Sequence, residues 1–345
     1  MFLKDLCELN GVSGNEKAIR EYIIEHIKDK VDLYRIDKIG NLIVEKKGSS
    51  ANLPRVLVCA HMDEVGLLIT DITSEGYLKF QPIGGIDSRI LLSKKVTCGS
   101  SNIPGIIGSK AIHLLKPEER KQSLSIEELY IDVGSTSKEE TEQIVKLGHY
   151  VTFSSQFERL GSELFKAKAL DNRVGCAMTM EILDGKYDCD LIAAFTVQEE
   201  IGLRGSKVIS NYIDADLAIV LEATEAADLK EKNQEEWIVE VGKGPACSLM
   251  DSATIYKPEL ITKVVATARK HNISLQFRKG TAAANDAGNI HQASKGIPTI
   301  TISVPCRNIH SFSSLIAESD YENCLKLVKA ILGEMSLFCP KNIKN

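Results

Sequence analysis

The residues of this 345-residue chain that could do chemistry are acids and histidines standing just beyond apolar runs. His61 follows Val56-Leu57-Val58-Cys59-Ala60. Glu199 and Glu200 follow Ala193-Ala194-Phe195-Thr196-Val197-Gln198. Glu222 follows Leu217-Ala218-Ile219-Val220-Leu221. His310 comes a short loop after Thr299-Ile300-Thr301-Ile302-Ser303-Val304, and Asp171 opens an expected helix at Ala169-Leu170-Asp171-Asn172-Arg173. Two histidines with several carboxylates form a mixed nitrogen and oxygen donor set that suits zinc, cobalt or manganese. Two such ions close together are best held by a bridging carboxylate with further ligands on both sides. In the pair Glu199-Glu200, adjacent side chains of an extended or turning backbone diverge, so one can ligate while the other takes a proton from a water. Each residue also has a plainer use: His61 as a satisfied strand-end histidine, Asp171 as a helix cap, Glu222 facing a helix dipole, Glu199-Glu200 as solvated surface, His310-Ser311 as an ordinary loop. Spacing alone leaves both readings open.

The elements that must position these groups alternate. The runs 56–60, 191–195 and 217–221 are short, continuous and apolar, the pattern of strands buried on both faces. Asn41 to Val44 is a further short strand. Helical patterns intervene: Ala18 to Ile27 carries Ile19, Tyr22, Ile23 and Ile27 on one face, with a cap expected at Ser13 or Asn15, and Gly175 to Leu183 is a second helix. Such alternation predicts an α/β core. The carboxyl ends of strands in an open α/β sheet form its ligand crevice, so the five placements converge on one edge if the strands are parallel neighbours. The stretch from about Leu67 to Phe165 differs. It holds short β-branched segments such as Val96-Thr97-Cys98 and Ile106-Ile107-Gly108, punctuated by glycine. The expected organisation is an α/β catalytic domain of residues 1–66 and 166–345, with a β-rich domain of residues 67–165 inserted into it.

Composition narrows the function classes. The net charge is -5, and lysines and arginines are scattered among acids, so nothing points to nucleic acid. The acidic stretch Glu222 to Glu236 reads as a solvated helix and turn. No apolar run approaches the ~20 residues of a membrane span, and the first residues lack the basic-then-apolar pattern of a signal peptide. The nine cysteines stand singly, without a CxxC pair, and read as small buried thiols of a reducing compartment. A cytoplasmic protein is the expectation.

Four segments carry a family resemblance: Ala60-His61-Met62-Asp63-Glu64-Val65-Gly66, Ala169-Leu170-Asp171-Asn172-Arg173, Gln198-Glu199-Glu200-Ile201-Gly202-Leu203-Arg204-Gly205-Ser206 and Ile309-His310-Ser311. Gly84-Gly85-Ile86-Asp87, Gly105-Ile106-Ile107-Gly108, Ile112-His113-Leu114, Gly242-Lys243-Gly244-Pro245 and Asp286-Ala287-Gly288 extend it over nearly the whole chain. In order and number these motifs resemble the M42 family of metallo-aminopeptidases, the glutamyl and tetrahedral aminopeptidases. The resemblance implies a mixed-sheet α/β catalytic domain of the zinc-peptidase type, interrupted by a small β-barrel-like dimerisation domain. It implies two divalent metal ions, zinc or cobalt, with manganese as a third option. His61, Asp171 and Glu222 would bind one, with Asp171 bridging to a second completed by Glu200 and His310. Glu199 is implied as general base. Asp63 would orient His61 from outside the ligand set. Short peptides are the implied substrates, and homo-oligomers, dimers gathering into a hollow dodecamer, the implied assembly.

Three departures bear on substrate and metal. Glu222 stands where aspartate is usual, Gly280 to Ala287 differs from the family's Gly-Thr-Asp stretch, and Phe312 follows His310-Ser311 where proline is common. Two rival functions remain to be separated from a peptidase. Two carboxylates can cleave glycosides as an endoglucanase does, but a single tryptophan offers little for sugar stacking. A non-catalytic metal-binding scaffold would be favoured by bound metal without turnover.

Overall fold

Runs that are apolar at every position must be covered on both faces, and the computed structural model, which describes residues 1–121, 123–229 and 237–339, covers them with helices and further strands. The main sheet has eight strands. They are β1 (Leu33–Ile36), β2 (Leu42–Lys46), β3 (Arg55–His61), β12 (Asp190–Thr196), β13 (Leu217–Glu225), β14 (Ala246–Ser248), β15 (Gln276–Arg278) and β16 (Thr299–Cys306), in the spatial order β1-β2-β12-β3-β13-β16-β14-β15. The central four, β12, β3, β13 and β16, are mutually parallel, so their carboxyl ends share one edge. The antiparallel pairs β1–β2, β2–β12 and β14–β16 make the sheet mixed, as expected. Val56 to Ala60 and Ala218 to Leu221 are completely buried. Each valine, leucine or isoleucine so covered contributes about 1.5–3 kcal/mol relative to exposure.

Helix α1 (Phe2–Glu8) and helix α2 (Lys17–Ile27) precede the sheet, and α2 buries Ile19, Ile23 and Ile27, spaced as one face. Its first turn is capped by neither Ser13 nor Asn15: the N-cap is Glu16, with no side-chain cap bond. Helix α4 (Leu170–Leu183) packs against β3 and β13. It comes so close that a Cβ on Gly175 would stand 2.9 Å from the Leu221 carbonyl oxygen and from the Ala60 Cβ. The remaining helices are α5 (Arg204–Ile209), α6 (Pro258–Lys270), α7 (Ala287–Ile290), α8 (Glu318–Gly333) and α9 (Met335–Phe338).

A second apolar core sits inside a closed antiparallel barrel. Its strands are β4 (Gly66–Ile72), β5 (Leu78–Ile83), β6 (Lys95–Cys98), β7 (Ile103–Ser109), β8 (Leu129–Asp132) and β9 (Tyr150–Phe153), in the order β4-β5-β8-β7-β6-β9. Pairing of Leu67 with Val151 closes it, and helix α3 (Lys138–Ile144) packs beside β4. Strands β10 (Glu158–Leu160) and β11 (Leu164–Ala167) pair instead with β17 (Ser314–Ala317), which follows the loop bearing His310. Where it is described, the start of the stretch Glu222 to Glu236 is strand and not the solvated helix and turn that its charges suggest. Residues through Glu225 continue β13, Glu222 is buried, and residues 230–236 lie outside the described set. Pairing with β16, which runs on through Glu225, overrides the charge pattern there. All nine cysteines are free, eight of them buried, and no described helix is long and apolar enough to cross a membrane.

Candidate metal centre

The parallel strands bring the five expected ligands and Glu199 to one edge. In-register pairing sets Thr196 of β12 beside His61 of β3, and Val220 of β13 beside Cys59, so Glu222 reaches the level of His61. Glu222 lies within β13 rather than after it. Asp171 does not cap α4. Its backbone (φ -84°, ψ 107°) and that of Asn172 are non-helical, and the peptide between them is cis. The carboxylate faces the strand ends.

It faces both histidines. Asp171 Oδ1 is 3.2 Å from His61 Nε2, and Asp171 Oδ2 is 3.4 Å from His310 Nε2. Glu222 Oε2 lies 3.6 Å and Glu199 Oε2 4.0 Å from His61 Nε2, while Glu200 Oε2 lies 3.1 Å from His310 Nε2. Glu199 and Glu200 therefore diverge, one toward each histidine. Each imidazole commits its other nitrogen to a carbonyl: His61 Nδ1 to Asp63 O at 3.2 Å, His310 Nδ1 to Gly85 O at 3.0 Å. That arrangement leaves Nε2 as the lone-pair nitrogen in both neutral rings.

The donor set fits divalent ions on three counts. Two ligand atoms each ~2.0–2.1 Å from one tetrahedral ion stand about 3.3 Å apart, and the histidine–carboxylate spacings bracket that value. Ligand atoms of His61, Glu199 and Glu222 converge within 4.8 Å of one another, as do those of His61, Asp171 and Glu200. Glu200 Oε1 and Glu222 Oε1 are buried with no hydrogen-bond partner, an arrangement that a bound cation relieves.

Proton affinities show the same crowding. Burial pushes the Glu222 carboxyl up to about 8, with Asp171 and Asp286 adding to the rise against the pull of His61. Burial likewise holds Glu199 well above the usual carboxylate range and raises Glu200. Burial alone would depress both histidines. The carboxylates Glu222 and Glu199 and hydrogen bonds to Asp171 and Asp63 outweigh it for His61, which lies well above its ordinary value. Bonds to Asp171 and Glu200 carry His310 to about 11. Burial opposes ionisation of Asp171 too, but its bonds to His310 and His61 prevail and lower it.

Around these groups stands a support that spacing did not reveal. Asp63 Oδ1 accepts the Glu199 amide at 3.0 Å, and Oδ2 accepts the Glu200 amide at 3.1 Å and the Ser13 hydroxyl at 2.6 Å. Its Oδ1 also lies 3.5 Å from His61 Nδ1. Glu16 Oε1 accepts the Gln198 and Gly14 amides. Three consecutive amides, 198 to 200, are thus held by two buried carboxylates. Asn172 donates to Glu222 Oε2 at 3.0 Å and to the Leu221 carbonyl. Lys168 and Arg173, which flank Asp171, form a buried ion cluster with Glu64. Asp286, fully buried beside Thr196 and Cys59, bonds to the Thr196 hydroxyl at 2.5 Å. Glu64 and Asp286 stand within motifs of the family resemblance, but Ser13 and Glu16 lie in a polar turn beside exposed Gly14, Asn15 and Lys17, and nothing local marks them.

A cleft of about 440 Å³ opens onto the centre, reaching from Gly85 and His310 past Leu203 to Thr224 and Arg278. Among the described residues Arg278 is the one arginine or lysine on its wall. It donates to Thr224 Oγ1 at 2.9 Å, and no described carboxylate lies within ion-pair distance of it.

The chain matches the family model described as M42 glutamyl aminopeptidase over residues 40–327. It is 34% identical to the lysyl aminopeptidase of Pyrococcus furiosus, over 96% of each chain. The crystal structure of a TET aminopeptidase from a marine sediment archaeon superposes with a TM-score of 0.92 at 33% identity, covering 97% of this chain and 95% of the other. The Pyrococcus horikoshii TET1 peptidase, described as able to assemble into a tetrahedron or a large octahedral shell, matches with a TM-score of 0.84 at 36% identity, over 96% of this chain and 98% of its own.

Proposed function

The chain belongs to the M42 glutamyl aminopeptidase family and is a peptidase, and from that premise we propose that it removes amino-terminal residues from short peptides at a centre of two divalent metal ions. The observation that carries the two-ion reading is the Asp171 carboxylate, one oxygen toward His61 and the other toward His310. His61, Asp171 and Glu222 would hold one ion, and Asp171, Glu200 and His310 the other. Zinc or cobalt suits the set, and manganese is the third candidate. Bound there, the ions supply Lewis acidity for the scissile carbonyl and acidify a water.

The protein's own part is proton transfer and alignment. Glu199 takes the proton from the attacking water and delivers it to the nitrogen of the departing amine. Asp63 and Glu16 fix the backbone that presents Glu199 and Glu200, and Asp63 steadies His61. Arg278, the one fixed cation among the described residues of the cleft wall, favours an acidic substrate side chain over a basic one. Residues 1–66 and 166–345 would carry the chemistry. The inserted segment 67–165, whose Ile106, Ile112 and Leu114 side chains are exposed, would serve dimer formation and, through dimers, a hollow dodecamer that admits peptides and excludes folded proteins. We place the reaction in the cytoplasm.

The test is hydrolysis of aminoacyl chromogenic amides by metal-stripped protein, with cobalt, zinc or manganese restored, beside Glu199→Gln. Metal-dependent release that Glu199→Gln abolishes, with glutamyl exceeding lysyl amide and the preference lost in Arg278→Gln, is the expected result. Bound metal without release from any amide would favour the scaffold reading. Release of sugar from a cello-oligosaccharide included in the panel would favour the endoglucanase.

A further inference from the structure

His310 is the least enclosed of the five expected ligands. Its side chain is 36% exposed, against 12% or less for the other four. It also sits on a loop, between β16 and β17, with left-handed backbone (φ 55°). The base of that loop is closed by the Arg307–Leu315 backbone pair and the Ser311 and Ser314 hydroxyls on the Asn308 carbonyl, but the contacts to the imidazole Nδ1 and the loop's tip come from the barrel. The carbonyl that engages Nδ1 belongs to Gly85, just beyond β5. A Cβ on Gly85 would stand 3.4 Å from that nitrogen. One on Gly84, whose φ is +83°, would stand 2.7 Å from Val65 Cγ1 and 3.4 Å from Glu200 Cβ. The barrel loop therefore closes down on both His310 and Glu200. Two residues after His310, Phe312 leaves the catalytic unit and packs against the barrel's core cluster. The Lys94 ammonium, just before β6, lies 3.9 Å from the centre of its ring. A half-buried aromatic ring packed against an apolar core with a cation on its face is held from two sides.

We propose that the inserted barrel is a working part of the metal centre, and that Phe312 is the positioning residue through which it acts. The ring, held against the barrel core and Lys94, ties the tip of the His310 loop to the barrel, so the barrel's seating sets how His310 meets Asp171 and Glu200. The proposal rests on the two-ion reading above. Outer partners of metal ligands typically change metal affinity about 10- to 100-fold when removed, and a ligand anchored on a loop is the one most sensitive to them.

The experiment is titration of the metal-free full chain with cobalt, followed by calorimetry and visible absorption. Wild type is expected to take up two ions. Phe312→Ala should keep one at wild-type affinity and bind the other about tenfold or more weaker, with an altered absorption band for that ion. Its kcat should fall at limiting cobalt and recover at high cobalt, without a change in KM. Phe312→Leu should restore most of the lost affinity. Lys94→Met should weaken the same ion about two- to fivefold. Ile131→Val, on β8, should leave both ions unchanged. Two wild-type affinities in a folded Phe312→Ala chain would overturn the proposal, as would equal weakening by Ile131→Val. Should Phe312→Ala fail to fold, Lys94→Met decides, and unchanged cobalt binding there overturns it. Fewer than two ions in the wild type would instead bring down the two-ion reading itself.

Discussion

Replacing Asp63 by asparagine should damage catalysis far more than replacing Glu16 by glutamine, although both carboxylates are buried and both hold the same loop. The difference lies in which oxygens are used. Glu16 accepts the Gln198 and Gly14 amides with one oxygen, Oε1, and a glutamine oxygen in that place accepts both. Asp63 divides its work: Oδ1 takes the Glu199 amide, Oδ2 takes Glu200 and Ser13. An asparagine must turn its NH₂ toward one of those amides, so that two donors face each other in a site without exposure. Losing a hydrogen bond to a buried charged group costs about 1.5–3 kcal/mol. If that falls on the placement of Glu199 and Glu200, kcat/KM drops about 10- to 150-fold. The assay is kcat/KM on the best chromogenic amide at saturating cobalt, with thermal unfolding to count folded protein. Ser13→Ala, which leaves both amide bonds intact, should cost about fivefold or less. An Asp63→Asn enzyme within about twofold of wild type, or a Glu16→Gln enzyme as impaired as Asp63→Asn, would refute the reasoning.

Three further outcomes follow from other parts of the fold. Glycine to alanine inside a helix ordinarily stabilises by about 0.5–1 kcal/mol. At Gly175 the added Cβ meets the Leu221 carbonyl and Ala60, so Gly175→Ala should instead destabilise by about 1–3 kcal/mol in urea unfolding. It should also lower activity, because Asn172 and Glu222 lie under the same turn. Glu334 accepts from Lys270, His271 and Thr267, and bonds to Lys270 and His271 hold its carboxyl down at about 2. A depressed folded-state value means its contribution is complete above the ordinary carboxylate range and fades as pH falls toward 2. Glu334→Gln should therefore lower the melting temperature slightly at neutral pH and lose that difference near pH 2, a shift read by melting curves across pH. Chelation should lower the melting temperature and added cobalt restore it, since an ion at 100 times its Kd stabilises by about 2.7 kcal/mol. Unchanged melting on chelation would argue against ions bound at the centre.

The centre was legible where polar groups end apolar strands. Residues 56–60, 191–195 and 217–221 are apolar because both faces of their strands are buried, and that same burial makes the acids beyond them conspicuous. The α/β class followed from the alternation of strands and helices and the β-rich segment from the change of pattern near Leu67, whereas closure of that segment into a barrel was implied only by the family resemblance. What escaped had no period to betray it. Ser13 reads as a helix cap and is a hydrogen-bond donor to Asp63. Asp171 reads as the first residue of a helix, yet its backbone is non-helical and its carboxylate faces one histidine at the end of β3 and another on the loop after β16. Glu222 reads as the start of a charged surface stretch, but strand pairing carries it inward. Contacts such as Gly85 with His310 join residues 225 positions apart, and local propensity says nothing of them.

The pairing of Leu67 with Val151 has a kinetic side. His61 and Asp171 are 110 residues apart in the chain, and bringing such distant points together is slow and entropically unfavourable. Once β4 lies against β9, the free path between them is only about 26 residues, because the whole barrel is bypassed. By the logarithmic dependence of closure entropy on length, that shortening lowers the entropic cost of bringing them together by about 1.3 kcal/mol. A barrel that closes first would thus act as a clip on the nascent chain, delivering the two halves of the centre to each other before the large sheet is complete.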